Sequence, residues 1–374
     1  MAFSKCSRKK PASGNLFVSV LNCSHFFSYP DCSSYRFEKY QDLPTRGAHA
    51  VEHFNINGSL FLAFANYISD TAENYDTDSF IYKLNDLTGK FFLYQTIGTH
   101  GGHDVEYFTI SGEHYLAFAN VENRTTYILN SVIYLWNGTL FVAFQNLATK
   151  GGASFTFFTI AKEAFLAVSN LYDGDTQSLN SVIYKWKNNM FEKFQDIATE
   201  GCRASAAFVI NNESYIAFAN EVRSASSVVY KRAGMHFVKL QNLQKDRATD
   251  IKSFYINDDV FLAIASQPES YINKWKGSQF VQFKTIDTPV AWALHPFVMC
   301  SQTFLGVADP YRTKTELYRF SASGQFTKYQ ELSTFGAIDM TSFEHKGHTY
   351  LAIANYGNNQ RNIESTVYKW TLLL

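Results

Sequence analysis

The chain has 374 residues, 46% apolar and 17% aromatic, which is ample material for a core and too aromatic for a disordered polypeptide. Lys plus Arg equals Asp plus Glu at 33 each, so no global field draws it to nucleic acid or anionic lipid. No apolar run approaches the roughly 20 residues that cross a bilayer.

Residues 1–35 open with basic residues ahead of LFVSVL, an apolar patch too brief for a secretory h-region. This segment is expected to be irregular and to follow a truncated upstream region. Cys23 and Cys32 are placed to bridge it, Cys202 and Cys300 fall inside repeats and read as packed thiols, and no cysteines show metal-type C-x-x-C spacing.

From Phe37 the chain repeats itself. The first string is F-x-x-aromatic-Q, as in FEKYQ, and it or a close variant begins at residues 37, 91, 141, 191, 237, 280 and 326. The second ends in a common Phe: Phe54, Phe108, Phe158, Phe208, Phe254, Phe297 and Phe343. The third is FLAFAN at 61, with relatives at 115, 165, 215, 261, 304 and 350. The fourth is a S-x-x-Y-K-W-like string such as SVIYKW at 181. All four are short, rich in aromatic and β-branched residues, and separated by Gly, Asn, Asp or Ser, so each repeat predicts a four-stranded antiparallel unit. In a strand, Phe61, Ala63 and Ala65 face one way and Leu62, Phe64 and Asn66 the other. Both faces are apolar, one small and one large, as stacked sheets need in order to interdigitate. The asparagine is expected to end the strand by bonding local backbone.

The chain begins with a lone first string, Phe37–Gln41, and ends with a lone fourth, Tyr368–Trp370. Elsewhere these two are adjacent, so pairing the ends completes a seventh sheet and leaves no open edge in the stack. The expected fold is all-β, a seven-bladed β-propeller of four-stranded antiparallel blades, spanning 36–370 with 371–374 as a tail. An open solenoid is the alternative, but STVYKWTLLL makes no polar cap.

The series FEKYQDLPTRGAHAVEHFNINGSLFLAFAN followed by IYKL resembles the EAR repeat, also called EPTP, of the leucine-rich glioma-inactivated proteins and of the thrombospondin-type laminin G domain and EAR repeat proteins. The likeness covers about residues 36–370, and repeat six, with CSQTFLGVAD, matches least well. It implies a secreted or cell-surface protein acting in cell recognition, a family not known for catalysis, whose members usually carry another domain upstream. N-x-[ST] sequons at Asn22, Asn57, Asn123, Asn137 and Asn212 agree with secretion.

Three polar groups stand out. Asp104 and Glu106 project from one face of the strand ending at Phe108, with Glu52 equivalent in the neighbouring repeat. Carboxylates held by backbone amides are the simpler reading; a channel Ca²⁺, for which hard oxygen donors are suited, is the other. His49 and His103 occupy equivalent places, with His53 and His100 nearby, and read as hydrogen-bonded rim histidines ahead of a zinc site. The loop at 67–78 carries Asp70, Glu73, Asp76 and Asp78 without EF-hand spacing. The expected function is a non-enzymatic extracellular module that binds a protein partner, such as a receptor ectodomain, through the rim bearing the loops from Tyr67, Val121, Leu171, Glu221, Gln267, Asp309 and Tyr356. The alternative is a metal-assisted hydrolase acting on glycans at the channel mouth, for which spacing supplies no mechanism.

Overall fold

The structure, a computed structural model, describes residues 34–70, 74–244, 246–357 and 360–372. The expectations for Asn22, Cys23, Cys32 and Glu73 lie outside those residues.

The four strings of each repeat form four antiparallel strands, and the described residues build seven such sheets with no helix longer than a single turn. Blade 1 runs outward from the axis as Ala48–Ile56, Ser59–Asn66, Asp76–Asn85 and Lys90–His100. Blades 2 to 6 follow in chain order, their innermost strands being Gly102–Ile110, Gly152–Ile160, Cys202–Ile210, Asp250–Ile256 and Ala293–Met299. Blade 7 takes Ala337–His345, His348–Asn355 and Glu364–Leu372 from the C-terminal end and Tyr35–Pro44 from the N-terminal end. The register sets Phe37 opposite Trp370 and Gln41 opposite Val367, and it extends to Tyr35 opposite Leu372, slightly beyond the limits read from the sequence. The ring therefore closes by a sheet shared between the two chain ends.

The FLAFAN pattern decides how blades stack. Phe61, Ala63 and Ala65 of blade 1 lie against Leu116 and Phe118 of blade 2, while Leu62 and Phe64 lie against Ala352 and Ala354 of blade 7. Small face meets large face at all seven interfaces, each with its own apolar cluster. Burying each large side chain contributes about 1.5–3 kcal/mol. In blade 6 the small position is Gly306, and Met340 of blade 7 fills the space an alanine would need, its Sδ only 2.3 Å from where a Cβ would stand.

Polar side chains then lock the stack. Asn66 ends its strand by donating to the Asp78 carbonyl (2.7 Å) and accepting the Arg46 amide (3.1 Å), and Asn120, Asn170, Asn220 and Asn355 do likewise. The glutamine of the first string reaches the next outer strand: Gln145 accepts the Phe191 N–H at 2.9 Å and donates to its carbonyl at 2.8 Å. Gln41, Gln95, Gln195, Gln241 and Gln330 make the same two-bond clamp on Phe91, Phe141, Phe237, Phe280 and Phe37. These side chains satisfy backbone groups that an outermost strand otherwise leaves unpaired. Lys284 interrupts the belt.

One cysteine reading is corrected. Cys202 is a buried free thiol, but Cys300 is disulfide-bonded. It sits at φ +47° in the hairpin turn between Met299 and Gln302, half-buried against the apolar cluster that joins blades 6 and 7. Membership of a repeat set the sulfur against the core but did not reveal its bond. Its bonding partner lies outside the described residues.

Two substitutions probe this packing. Lys284→Gln should complete the belt on Phe326 and raise stability by roughly 1 kcal/mol in denaturant titration. Gly306→Ala should destabilise by about 1–3 kcal/mol through overpacking, and Met340→Ala in the same chain should return part of that loss.

Candidate functional site

The inner strands surround an axial channel, and a strand facing it has a free edge of backbone N–H groups. The sequence places acids to meet them. Asp339 of blade 7 accepts the Val51 N–H of blade 1 at 3.0 Å, Asp104 of blade 2 accepts Phe155 of blade 3 at 2.7 Å, and Asp250 of blade 5 accepts Leu294 of blade 6 at 3.3 Å. Glu106 accepts the Phe157 N–H at 2.8 Å. Each carboxylate thus staples its inner strand to the following one. Histidines serve the same lining: His53 bonds the Thr341 hydroxyl at 2.7 Å, and His295 accepts the Ser342 N–H at 3.2 Å.

Glu52, Asp104, Glu106, Asp250 and Asp339 face a single ammonium, Lys252, whose Nζ is 3.7 Å from Asp250 Oδ1. Desolvation, reinforced by neighbouring acids, pushes Glu52 well above the usual carboxylate range, Glu106 up to about 8 and Asp339 up to about 7. The acids in turn raise Lys252. Among the described residues no group of three or more His, Cys, Asp or Glu side chains is gathered for a metal ion. Asp104 and Glu106 are brought together as predicted, with Glu52 beside them, but two of the three already serve backbone amides.

At the channel end bearing the long loops, side chains from separate blades meet across the axis. His49 and His103 pack against each other with ring centroids 3.7 Å apart and planes tilted by 32°. His49 Nδ1 donates to the His103 carbonyl (3.1 Å) and His103 Nδ1 to the Ala153 carbonyl (2.7 Å). A carbonyl only accepts, so each Nδ1 carries the proton and each Nε2 is left as an acceptor. Arg203, from blade 4, donates to His103 Nε2 at 3.1 Å, and its guanidinium lies 4.5 Å from the Trp292 ring centroid of blade 6. Glu221 holds Arg203 through Nε at 2.6 Å. Burial and the Arg203 charge lower His49 to about 3 and carry His103 well below its ordinary value. The two histidines were legible as equivalent positions; Arg203 and Trp292 were not, since their strings differ from every other repeat at those places.

The acidic loop disperses. Asp70 accepts the N–H groups of Arg361 and Asn362 from the blade 7 loop, Asp76 pairs with His100, and Asp78 lies 3.6 Å from Arg46. Of the sequons, Asn57 and Asn212 occupy turns after inner strands and Asn137 a turn before an outer strand, all on the face opposite the long loops; Asn123 lies in a loop of the other face. Asn123 and Asn137 direct Oδ1 to amides two and three residues on.

A closed propeller whose polar side chains are largely spent on its own backbone, and whose variable loops gather on one face, is a protein-interaction scaffold. The EPTP domain matches residues 36–85, 90–137, 140–187, 190–232, 236–275 and 325–371, and the chain belongs to that family. Residues 276–324, covering most of blade 6, fall between the matched stretches, where the repeat was weakest. Two curated relatives, the human and mouse "Thrombospondin-type laminin G domain and EAR repeat-containing protein", are 39% and 38% identical over 122 and 102 residues, or 33% and 27% of this chain. These matches span only 18% and 15% of the relatives' own length. The WD40 domain of Toxoplasma gondii coronin superposes with a TM-score of 0.57 at 10% identity, over 91% of this chain and 87% of that one, and shows the same fold.

The channel makes stability pH-dependent in two directions. The buried histidines, including His53 at about 4 and His295 at about 3, have depressed values, so the stability they contribute is present above about pH 6.5 and lost as pH falls toward 3. The raised carboxylates act oppositely: their contribution is present below about pH 4 and lost as pH rises through the 7–8 of Asp339 and Glu106. Thermal melts should show a maximum between about pH 4 and 6.5, on the acid side of neutrality. Replacing His49 and His103 together by Asn, which keeps a donor for each carbonyl, should flatten the acid limb.

Proposed function

We propose that this chain is a non-enzymatic extracellular recognition module that binds a cell-surface or matrix protein through the face carrying the long loops. The observation that carries this reading is the division of labour between faces. The opposite face holds tight hairpin turns and three of the four described sequons, at Asn57, Asn137 and Asn212, so glycans there leave the loop face open except beside Asn123 in the blade 2 loop. The disulfide at Cys300 fits an oxidising compartment. The relatives named for thrombospondin-type laminin G domains fit the same surroundings.

A glycan hydrolase at the channel mouth draws less support. The two mouth histidines are engaged by backbone carbonyls and Arg203, and two of the three predicted acids hold amides. Calcium near Asp104, Glu106 and Glu52 is proposed only as counter-charge for the carboxylate excess over Lys252, because these side chains do not form a chelate. On this reading Ca²⁺ raises the melting temperature of purified protein, and Glu52→Gln removes the rise; melts insensitive to Ca²⁺ and chelator leave amide stapling as the acids' whole role.

Tyr311 is 71% exposed in the blade 6 loop, and Tyr311→Asn creates an Asn-Arg-Thr sequon on the proposed binding face. Glycosylated there, secreted protein should lose binding to partner-bearing cells. Glycans at Asn57, Asn137 and Asn212 should leave binding intact. Binding that survives the new glycan, or that fails when the other face is glycosylated, would move the contact away from the long loops.

A further inference from the structure

We infer that the loop face carries a built cleft, between blades 3, 4 and 5, that takes a short acidic peptide segment through Arg223 and Arg247. The inference rests on the recognition reading above and names the chemistry of the partner.

The cleft has a volume of about 520 Å³, within the range of about 300–1,000 Å³ usual for ligand sites. It is lined by Gln177 of the blade 3 loop, Glu221 and Arg223 of the blade 4 loop, Arg247 of the following crossing segment and Gln267 of the blade 5 loop. Its one lining carboxylate is already committed. Glu221 is buried, with Oε2 accepting from Arg203 at 2.6 Å and Oε1 from Arg247 at 3.0 Å. Both oxygens are occupied, so the acid orients Arg247 and cannot repel an incoming anion as a free carboxylate would. Arg247 stays 46% exposed with guanidinium donors to spare, and Arg223 is exposed with no ion-pair partner among the described residues. Two guanidiniums, Arg223 and Arg247, thus line the cleft with one acid whose oxygens are both taken, an excess of one positive charge in a chain whose total is +0.

A planar guanidinium fork matches a carboxylate with two parallel hydrogen bonds, and the amides of Gln177 and Gln267 can donate or accept alongside. Only two arginines line the cleft, whereas a sulfated polysaccharide needs an extended basic track. Val222, Pro268 and Pro289 also line the walls and offer apolar surface to side chains between the acids. These features favour a peptide.

The test uses secreted full chain and a fluorescein-labelled, capped peptide of alternating Glu and Gly, with the Lys-Gly counterpart and a sulfated heparin hexasaccharide as comparators, read by anisotropy. The acidic peptide should bind saturably and more weakly as salt rises, and the lysine peptide should not bind. Arg223→Gln, at an exposed site, should weaken binding about tenfold with an unchanged melting temperature, and Arg223→Glu should abolish it. Acidic-peptide binding unaffected by either substitution, absence of binding, or binding of the hexasaccharide alone would overturn the inference. If the chain still binds cells and the Tyr311→Asn glycan still blocks it, the acidic-peptide inference fails while the recognition reading stands. If cell binding is absent but the peptide result holds, the reverse is true.

Discussion

The whole architecture depends on one pairing, that of Tyr35–Pro44 with Glu364–Leu372. A stack of sheets with apolar faces is stable only when every sheet has two neighbours, and an open stack would present a large face such as Leu62 and Phe64 to water. Closing the ring through a blade built from both ends removes that exposure. It also makes the seven interfaces interdependent, because none can be lost without opening the circle. Gln330 clamping Phe37 across the junction extends the same polar belt over the seam.

Around that constraint the chain uses polar residues economically. Propeller strands leave two sets of backbone groups unpaired, those of the innermost strands and those of the outermost. Channel acids answer the first set and the repeat glutamines answer part of the second, each reaching from one blade to the next. Interface specificity therefore comes from hydrogen bonds laid over a core that is itself only a pattern of small against large. The channel bears the electrostatic cost, with several carboxylates close to one lysine and neutral histidines wedged beside Arg203.

The fold was legible because its determinants are local and recur. Strand identity, the alternation within FLAFAN, the terminal asparagine and the split closing blade all follow from strings a few residues long. The glutamine was visible as a recurring letter, but its role was not, since the groups it clamps lie 39 to 50 residues further on, or at the other end of the chain for Gln330, and belong to another sheet. The mouth of the channel was half legible for a related reason. His49 and His103 are neighbours round the ring and repeat in register, whereas Arg203 and Trp292 meet them across the axis, a relation that linear spacing does not encode. Cys300 was misread only as a thiol: its packing against the core was legible from its repeat, its disulfide was not. Asp104 and Glu106 were found as a pair, and the geometry gives them amide partners in the next blade.

Closure is tested most directly by native-state amide hydrogen exchange across Phe37–Leu43, followed in the intact chain. The account predicts that the ladder-bonded amides of this strand open only with global unfolding, with the same protection and denaturant dependence as the inner strands of blades 1 and 7. Exchange of those amides at the rate of surface loops, while the inner strands stay protected, would show a ring held by something other than its two ends and would contradict the account.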